Sequence, residues 1–549
     1  MSRDFDIFMS KHLAGQWLLN SYEKDNIMKQ RIIFLCIVSL ILGSCGDFLE
    51  PKSKSEFVPK DANSLSELLL GEAYPRNGIT ELNVFLHLLD DDIAPAPYQG
   101  VKVGSDANRW YAPYTWQSNM YDIMGTAGEK YTNLYSSYYA LILGANAILD
   151  YVDDINDDKN AINSVKAQAL ALRGFLYFNL INIFGAPYNY DKTALGVPLK
   201  LNSGIEESEL KRNTVEEVYV QIIKDLLEAE RLYKTLPSAQ QWQPNKRTSL
   251  PMVHLLLSRA YLYMEEWEKA ATYANHVITN GNFHLLDLNT IKTYSEEDPS
   301  IPSYINYHSY TTSSEVIWVY GNITDVTKYV YNVSVSTNDH PFFRASKELM
   351  NCFDETENDL RKERYVIRSK FQIINEDNEL EAMPSAFGKI NVSSKAYYQP
   401  VATNDAFGRS LRLSEAYLNF CEAKAMLYKA GVANAGQEAL NTLNEFRRFR
   451  FPLNYQNENI TDPEKLITFI HNERRRELCF EDHRWFDLRR WGMPQIQHTW
   501  YPDAQSTLVY TLKEHDPGYT IPLPPDALEL NNLLEQNPLA PAPRNGINL

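Results

Sequence analysis

The pentapeptide SRAYL (Ser258–Leu262) returns in altered form as SEAYL (Ser414–Leu418). Each copy precedes a stretch with alanines at helical spacing, around Ala270 and Ala274 after the first and Ala423 after the second. Small residues let two helices approach closely, while the Tyr and Leu side chains fill the groove of the neighbouring helix. This internal repeat therefore predicts helix-turn-helix repeats of the TPR kind. The sequence matches the TPR consensus only loosely.

Apolar residues spaced three and four apart predict the other helices of this scaffold. The clearest is Thr214–Tyr233, where Thr214 takes the N-cap position and Glu217 follows three residues later, the pattern of a capping box. Further helices are predicted at Ser64–Leu70, Tyr131–Val152, Ala161–Ile183, Ser249–Met264, Glu266–Asn280 and Ala435–Arg448. We expect an all-α fold, with TPR-like helix pairs at about 130–280 and 409–490.

The segment Leu285–Arg409 does not follow the helical pattern. It is rich in Tyr, Asn, Ser and Thr and contains short β-like runs such as Val316–Tyr320. A loop-rich insert on a helical scaffold is a common way to present a binding surface. We expect an irregular ligand-binding region with a few short strands here and in the N-terminal loops.

Near the N-terminus, MKQRIIFLCIVSLILGSC (Met28–Cys45) has the pattern of a lipoprotein signal peptide. Two cations precede an apolar run, Ile32–Leu42, of 11 residues. At about 1.5 Å per residue that run covers about half of a ~30 Å hydrocarbon core, too little for a transmembrane helix. Leu42–Cys45 resembles a bacterial lipobox, so Cys45 is the predicted lipidation site; the alternative is a buried strand that contains a cysteine.

These observations give a domain plan. Residues 1–27 precede the predicted start, as an upstream misassignment or a spacer that is removed; 28–44 are the signal peptide, and 45–60 are the lipidated cysteine and a polar tether. Residues 61–549 form one domain. The net charge of −17 argues against a nucleic-acid partner. The remaining cysteines, Cys352, Cys421 and Cys479, are too few and too widely spaced for a disulfide framework or a structural zinc site.

The most charged stretch, NERRRELCFEDHRWFDLRRWG (Asn472–Gly492), closely resembles the C-terminal signature of SusD/RagB-type nutrient-uptake lipoproteins of Bacteroidetes. Six further segments resemble the family in the expected order: Ala169–Pro187, Arg212–Tyr219, Ser314–Trp318, Leu411–Leu418, Ile521–Pro524 and Gln536–Pro538. The resemblance implies a lipid-anchored protein on the extracellular side of the outer membrane. It would act as a hinged lid on a SusC-like TonB-dependent transporter and deliver a nutrient, usually an oligosaccharide and sometimes a peptide. It also implies no enzymatic activity and no cofactor.

Two groups of charged residues could in principle bind a metal or act in catalysis. Glu473 and Glu477 lie one helical turn apart with His471, His483 and Cys479 nearby, which could suggest a metal site. The arginines among them would repel a metal ion and pair with the carboxylates, so we expect a structural ion-pair lattice and no metal. Asp90–Asp92 could suggest a glycoside hydrolase, but three adjacent Asp are more typical of a helix end or a solvated turn. We expect no catalytic residue.

Two aromatic clusters are the candidate ligand contacts. Flat rings match the apolar faces of sugars, and Arg and Asn match the hydroxyls. In similar proteins the glycan site draws on loops in these two parts of the chain. The predicted binding residues are Asn108, Arg109, Trp110, Tyr111, Tyr114 and Trp116 in the first cluster and Tyr304, Tyr307, Tyr310 and Tyr329 in the second. Burial in the core is the alternative for these aromatics, and it is the interpretation favoured for Trp318. An oligosaccharide is the predicted ligand; a peptide ligand and a secreted hydrolase remain alternatives.

Overall fold

Helices make up most of the part of the chain that this computed structural model describes. The described residues are 59–75, 82–83, 85–95, 107–125, 131, 133–205, 209–242, 246–291, 307–321, 343–374, 380–385, 389, 408–503 and 505–549. Residues Lys60–Leu549 form one structural unit. Within the described residues no helix has both the length and the apolar character needed to span a membrane. Cys45 and the signal segment lie outside the described residues.

The helices are α1 (Ala62–Glu72), α2 (Leu86–Leu89), α3 (Ala107–Tyr114), α4 (Met120–Gly125), α5 (Leu134–Tyr151), α6 (Lys159–Phe184), α7 (Val215–Thr235), α8 (Ser238–Gln241), α9 (Leu250–Tyr263), α10 (Trp267–Ile278), α11 (Lys347–Asp354), α12 (Leu360–Tyr365), α13 (Leu413–Lys429), α14 (Ala435–Arg447), α15 (Pro463–Leu478), α16 (Arg484–Arg490) and α17 (Pro525–Leu530). The all-α prediction is confirmed.

Helix α7 shows how the local sequence sets these boundaries. The Thr214 side chain accepts a hydrogen bond from the Glu217 amide, and the Glu217 carboxylate accepts one from the Thr214 amide at 2.8 Å. This capping box satisfies amides that the first turn of a helix leaves without partners. The buried face of α7, which includes Val218, Ile222 and Leu226, then packs on α6.

The two pentapeptides meet where the helix pairs join. Helix α10 packs on both α9 and α13, and α13 packs on α14 and α15. Arg259 of the first pentapeptide donates two hydrogen bonds of 2.6 Å to Glu415 of the second, and both side chains are buried. The second position of each motif therefore supplies one half of an ion pair between the helix pairs.

Close helix packing also depends on Gly144 in α5. A Cβ atom at this position would overlap the backbone of Glu72 at the end of α1. Glycine is therefore required here by the approach of α1 and not by its backbone dihedral angles.

Short antiparallel strands border the helices. Strand β1 (Ile93–Pro95) pairs with β3 (Phe343–Ala345), β2 (Val316–Tyr320) with β6 (Arg409–Arg412), and β4 (Ile367–Ile374) with β5 (Leu380–Ser385); β7 (Ile496–Trp500), β8 (Leu508–Leu512) and β9 (Ile547–Asn548) form a three-stranded sheet. Trp318 on β2 is fully buried, as predicted. The insert also contains α11 and α12, which the sequence analysis did not predict.

Candidate functional site

The first aromatic cluster lies on α3 and the turn that follows it. Tyr114 and Trp116 are buried, at 1% and 4% exposure, and both rings stack on His498 of β7, with centroids 4.2 and 4.1 Å away. The indole N–H of Trp116 donates to the Leu89 carbonyl at 3.0 Å. With their rings enclosed, these two residues have no exposed face for a sugar, and the core alternative describes them better.

Trp110 and Tyr111 are only partly buried where they pack against the core. The Tyr111 ring contacts Trp500 and Tyr510, with centroid distances of 5.2 and 5.9 Å, and its hydroxyl lies 3.0 Å from the Tyr510 hydroxyl. We name Trp110 and Tyr111 the aromatic platform. It combines partly exposed rings with a fixed base of buried ones, which suits a flat ligand.

His498 connects the base of the platform to the N-terminal segment. Its Nδ1 lies 2.7 Å from the Tyr114 carbonyl oxygen and its Nε2 lies 2.9 Å from that of Asp90. Burial lowers the pKa of His498 to about 4, although both carbonyl contacts oppose this shift. The ring thus fixes α3 relative to the Asp90–Asp92 turn.

A small cavity of about 20 Å³ beside Trp116 is closed by Pro113 and the C-terminal segment around Pro522 and Pro538. That space is enough for about one water molecule and not for a sugar ring. This cavity is therefore not a site for a sugar.

The second aromatic cluster is described only in part. Tyr307 is 2% exposed, its ring makes an edge contact with Tyr365 at 5.1 Å, and its amide donates to the Lys389 carbonyl at 3.0 Å. Tyr307 is therefore also a packing residue, whereas Tyr310 is partly exposed. Tyr304, Tyr329 and the side chains of Asn108 and Arg109 lie outside the described residues, so their predicted roles stay predictions.

The signature segment builds a buried ion-pair lattice, as predicted. Glu477 of α15, which is fully buried, accepts hydrogen bonds from Arg450 at 2.8 Å and Arg412 at 3.2 Å and from the Tyr365 hydroxyl at 3.1 Å. Burial would raise the pKa of Glu477, but the surrounding arginines hold it well below its ordinary value. The carboxylate is therefore paired with several buried donors, as expected of a structural ion-pair lattice.

A second group of the lattice surrounds Glu473, one turn earlier on α15. Arg361 lies 2.6 Å from this carboxylate, Arg476 lies 3.0 Å from it, and Arg447 donates to it as well. Arg361 also pairs with Asp359 at 2.7 Å. The cations that would repel a metal ion are thus in direct contact with the carboxylates.

Lys389 ties the insert to this lattice. Its ammonium group is buried and donates to the carbonyls of Glu477 and Cys479 at 2.6 and 2.9 Å and to the Glu481 carboxylate at 2.5 Å. Burial raises the pKa of Glu481, but Arg412 and Lys389 outweigh it and lower the pKa to about 2. Because the Tyr307 amide donates to the Lys389 carbonyl, Tyr307 is connected to the lattice through Lys389.

The Asp90–Asp92 turn is held by the same segment. Asp91 accepts two hydrogen bonds from Arg484, at 2.6 and 2.9 Å, and Asp92 accepts one from Arg475 at 2.8 Å. The turn follows α2, as expected of a helix end, but it is not solvated: Asp90 and Asp92 are buried. Because arginines hold Asp91 and Asp92, this turn does not provide the free carboxylate pair of a glycosidase.

His87 completes the contact between this turn and the signature segment. Its Nε2 lies 2.9 Å from Asp482, which Arg409 also contacts, and its Nδ1 lies 3.8 Å from Asp90. Burial alone would lower the pKa of His87, but the bonds and charges of Asp482 and Asp90 outweigh it and raise the pKa to about 9. Burial raises the pKa of Asp90 to about 7.

The lattice residues outside the signature could not be found from their own neighbourhoods. Arg412, Arg450 and Lys389 come from separate parts of the chain, and nothing beside them in the sequence identifies their carboxylate partners. The available signal was an excess of arginine beside apolar residues, as in RRFRF (Arg447–Phe451), which indicates charges that are buried with partners.

Comparison with known proteins agrees with this architecture. A family model described as "Starch-binding associating with outer membrane" matches residues 47–262, and one described as "SusD family" matches residues 289–539. SusD-like protein P2 of Formosa agariphila is 26% identical over 454 residues, covering 76% of this chain and 82% of that protein. SusD-like protein P38 of the same organism is 24% identical over 397 residues, covering 65% and 71%.

Solved structures share the fold. A SusD superfamily protein of Bacteroides thetaiotaomicron superposes with a TM-score of 0.62 at 22% identity, covering 87% of this chain and all (100%) of that one. A SusD-like carbohydrate binding protein of Bacteroides vulgatus gives a TM-score of 0.58 at 20% identity, covering 87% and 98%. The two family models follow one another along most of the sequence, and the chain belongs to the SusD/RagB family.

Proposed function

We propose that this protein is a non-enzymatic, surface-exposed lipoprotein that captures an oligosaccharide and delivers it to a SusC-like TonB-dependent transporter in the outer membrane. The observation that carries the proposal is the aromatic platform: Trp110 and Tyr111 are partly exposed and pack against the core, and the Tyr111 ring contacts the buried rings of Trp500 and Tyr510. A fixed flat ring favours the apolar face of a sugar because little side-chain freedom is lost on binding.

Two further features support this function. The lattice holds the Asp90–Asp92 turn through Arg475 and Arg484 and holds Lys389, whose carbonyl accepts from the Tyr307 amide. The relatives are named for SusD, and one solved neighbour is named as a carbohydrate binding protein. A lipid on Cys45 would anchor the protein, and several acyl chains together exceed what stable anchoring requires.

The test is a calorimetric titration of residues 46–549, which include the whole structural unit Lys60–Leu549. The titrants are purified oligosaccharides and, separately, peptide digests. We expect heat with one class of glycan. Trp110→Ala should then weaken binding about tenfold or more, about 1.4 kcal/mol, because a stacking face is lost.

A matched control is Trp267→Ala on α10, since Trp267 is also a partly buried tryptophan packed on the core. This variant should bind as the wild type does. Heat from peptides alone would move the function to peptide uptake, and release of reducing sugar on long incubation would identify a hydrolase. Equal loss in both variants would remove the platform from the site.

A further inference from the structure

Three side chains that commonly bind metals meet on three scaffold helices. Glu230 lies on α7, His254 on α9 and His276 on α10, and one ligand atom from each lies within 4.8 Å of the others. The Nε2 atom of His254 is 3.1 Å from Oε1 of Glu230, and the two imidazole rings are 5.0 Å apart. The residues are more than twenty positions apart along the chain, so sequence spacing does not reveal the cluster.

The cluster is buried on one side and open on the other. Glu230 and His254 are buried at 7% and 8% exposure, whereas His276 is exposed. His276 also lines a groove of about 620 Å³ that is bordered by residues of α10, α13 and α14, among them Lys424 and Glu438. A cation can therefore reach the buried ligands from solvent, as a binding site requires.

We propose that Glu230, His254 and His276 form a binding site for Zn²⁺, with water at the fourth position. Two imidazole nitrogens and one carboxylate oxygen are a donor set that Zn²⁺ accepts in tetrahedral sites. Mg²⁺ and Ca²⁺ prefer oxygen donors, so the two histidines select against them. No metal site was expected from the sequence, because these three ligands come together only in the fold.

A neighbouring residue prepares the carboxylate. The Tyr273 hydroxyl donates to Oε2 of Glu230 at 3.1 Å, which leaves Oε1 directed towards His254. Such an outer hydrogen bond orients a metal-binding carboxylate.

Lys234 would compete with the metal ion for the Glu230 carboxylate. Its ammonium group lies 2.5 Å from Oε1 of Glu230, the same oxygen that faces His254. The side chain is 54% exposed and can turn away into solvent. Zn²⁺ would therefore displace Lys234, and the affinity should rise when this cation is removed.

A bound ion would join three scaffold helices. Helix α9 packs on both α7 and α10, and the proposed ligands come from all three. The site would stabilise the scaffold and is separate from nutrient capture, because none of its residues belongs to the platform.

The experiment is a calorimetric titration of EDTA-treated residues 46–549 with ZnCl₂ at neutral pH, followed by thermal melting with and without Zn²⁺. We expect one ion per chain and a higher melting temperature with Zn²⁺. His276→Ala should weaken binding at least 100-fold, and since His276 is exposed the variant should fold. Tyr273→Phe should weaken binding about tenfold, and Lys234→Met should strengthen it.

The control is His515→Ala, which removes an exposed histidine 3.9 Å from Glu514 and should leave the titration unchanged. Absence of binding in the wild type would overturn the proposal. So would binding that His276→Ala leaves unchanged, because the ion would then be held elsewhere. Loss of binding in His276→Ala together with tighter binding in Lys234→Met would establish the site.

Discussion

Replacing Glu477 by Gln tests whether the ion-pair lattice stabilises the fold. The substitution keeps the shape of the side chain and removes one buried negative charge. In the wild type this carboxylate contacts Arg450 at 2.8 Å, Arg412 at 3.2 Å and Arg361 at 3.4 Å. All four side chains are almost fully buried, so water cannot solvate the arginines that lose this negative charge.

The expected loss of stability depends on the carboxylate partners that the arginines keep after the substitution. Arg450 keeps Glu315 at 2.7 Å, and Arg412 keeps Glu481 at 2.6 Å. Breaking a buried pair from one side destabilises a protein by about 3–5 kcal/mol, and the retained partners place this case near the low end, at about 3 kcal/mol. For a unit that spans Lys60–Leu549, whose unfolding entropy is about 1 kcal/mol per kelvin, the melting temperature should fall by about 3 °C.

The assay is thermal and urea unfolding of residues 46–549, with Glu216→Gln as the matched control. Glu216 pairs with Lys192 at 2.8 Å on the surface, where both side chains are about half exposed. The control should change stability by less than about 0.5 kcal/mol.

The pH dependence gives a second readout of the same substitution. The folded-state pKa of Glu477 is lowered, so its stabilisation is present above the unfolded value of about 4.3 and is lost as the pH falls. The variant should therefore lose less stability on acidification than the wild type. Equal midpoints for Glu477→Gln and Glu216→Gln at neutral pH would refute the reasoning.

Two further predictions concern His87 and the anchor. His87 has a folded pKa of about 9, above the unfolded value of about 6.5, so its stabilisation is complete below that unfolded value and is lost as the pH rises to about 9. His87→Gln should flatten this alkaline loss in urea unfolding, by up to about 3 kcal/mol, and the exposed His284→Gln should not. Cys45→Ser should abolish palmitate labelling and release the protein from the membrane fraction. Cys36→Ser should retain both the labelling and the membrane association. Membrane retention of Cys45→Ser would contradict the lipid anchor.

The scaffold was predictable because its signals are local. A capping box and an apolar face define α7 within one stretch of chain, and the predicted start at Thr214 is confirmed as the N-cap. The insert was harder because its helices are short. Helix α11 has eight residues behind the N-cap Ser346, a pattern too brief to stand out in a polar segment.

The candidate site was predictable as a segment but not residue by residue. Tyr111 and Tyr114 are three positions apart on the same helix, and only the stacking partner His498, far along the chain, determines that Tyr114 is enclosed. Trp116 follows the helix with a φ of +50°, a left-handed conformation that a residue with a side chain adopts only rarely. Burial of an aromatic ring is decided by such distant contacts, and composition cannot supply them.

The lattice explains how a binding protein can combine a fixed frame with a loop-rich surface. A loop that orders only on binding spends part of the interaction free energy on its own conformational entropy. Here Arg475 donates to the Asp92 carboxylate and to the Asp91 carbonyl. Lys389 donates to the Glu481 carboxylate, and its own carbonyl accepts a hydrogen bond from the Tyr307 amide. Buried charges are a weak source of stability compared with apolar packing, but they demand one geometry. An ion-pair lattice of this kind is therefore suited to fixing the positions of the segments it contacts. The loop residues between those contacts can then be substituted without loss of the scaffold geometry.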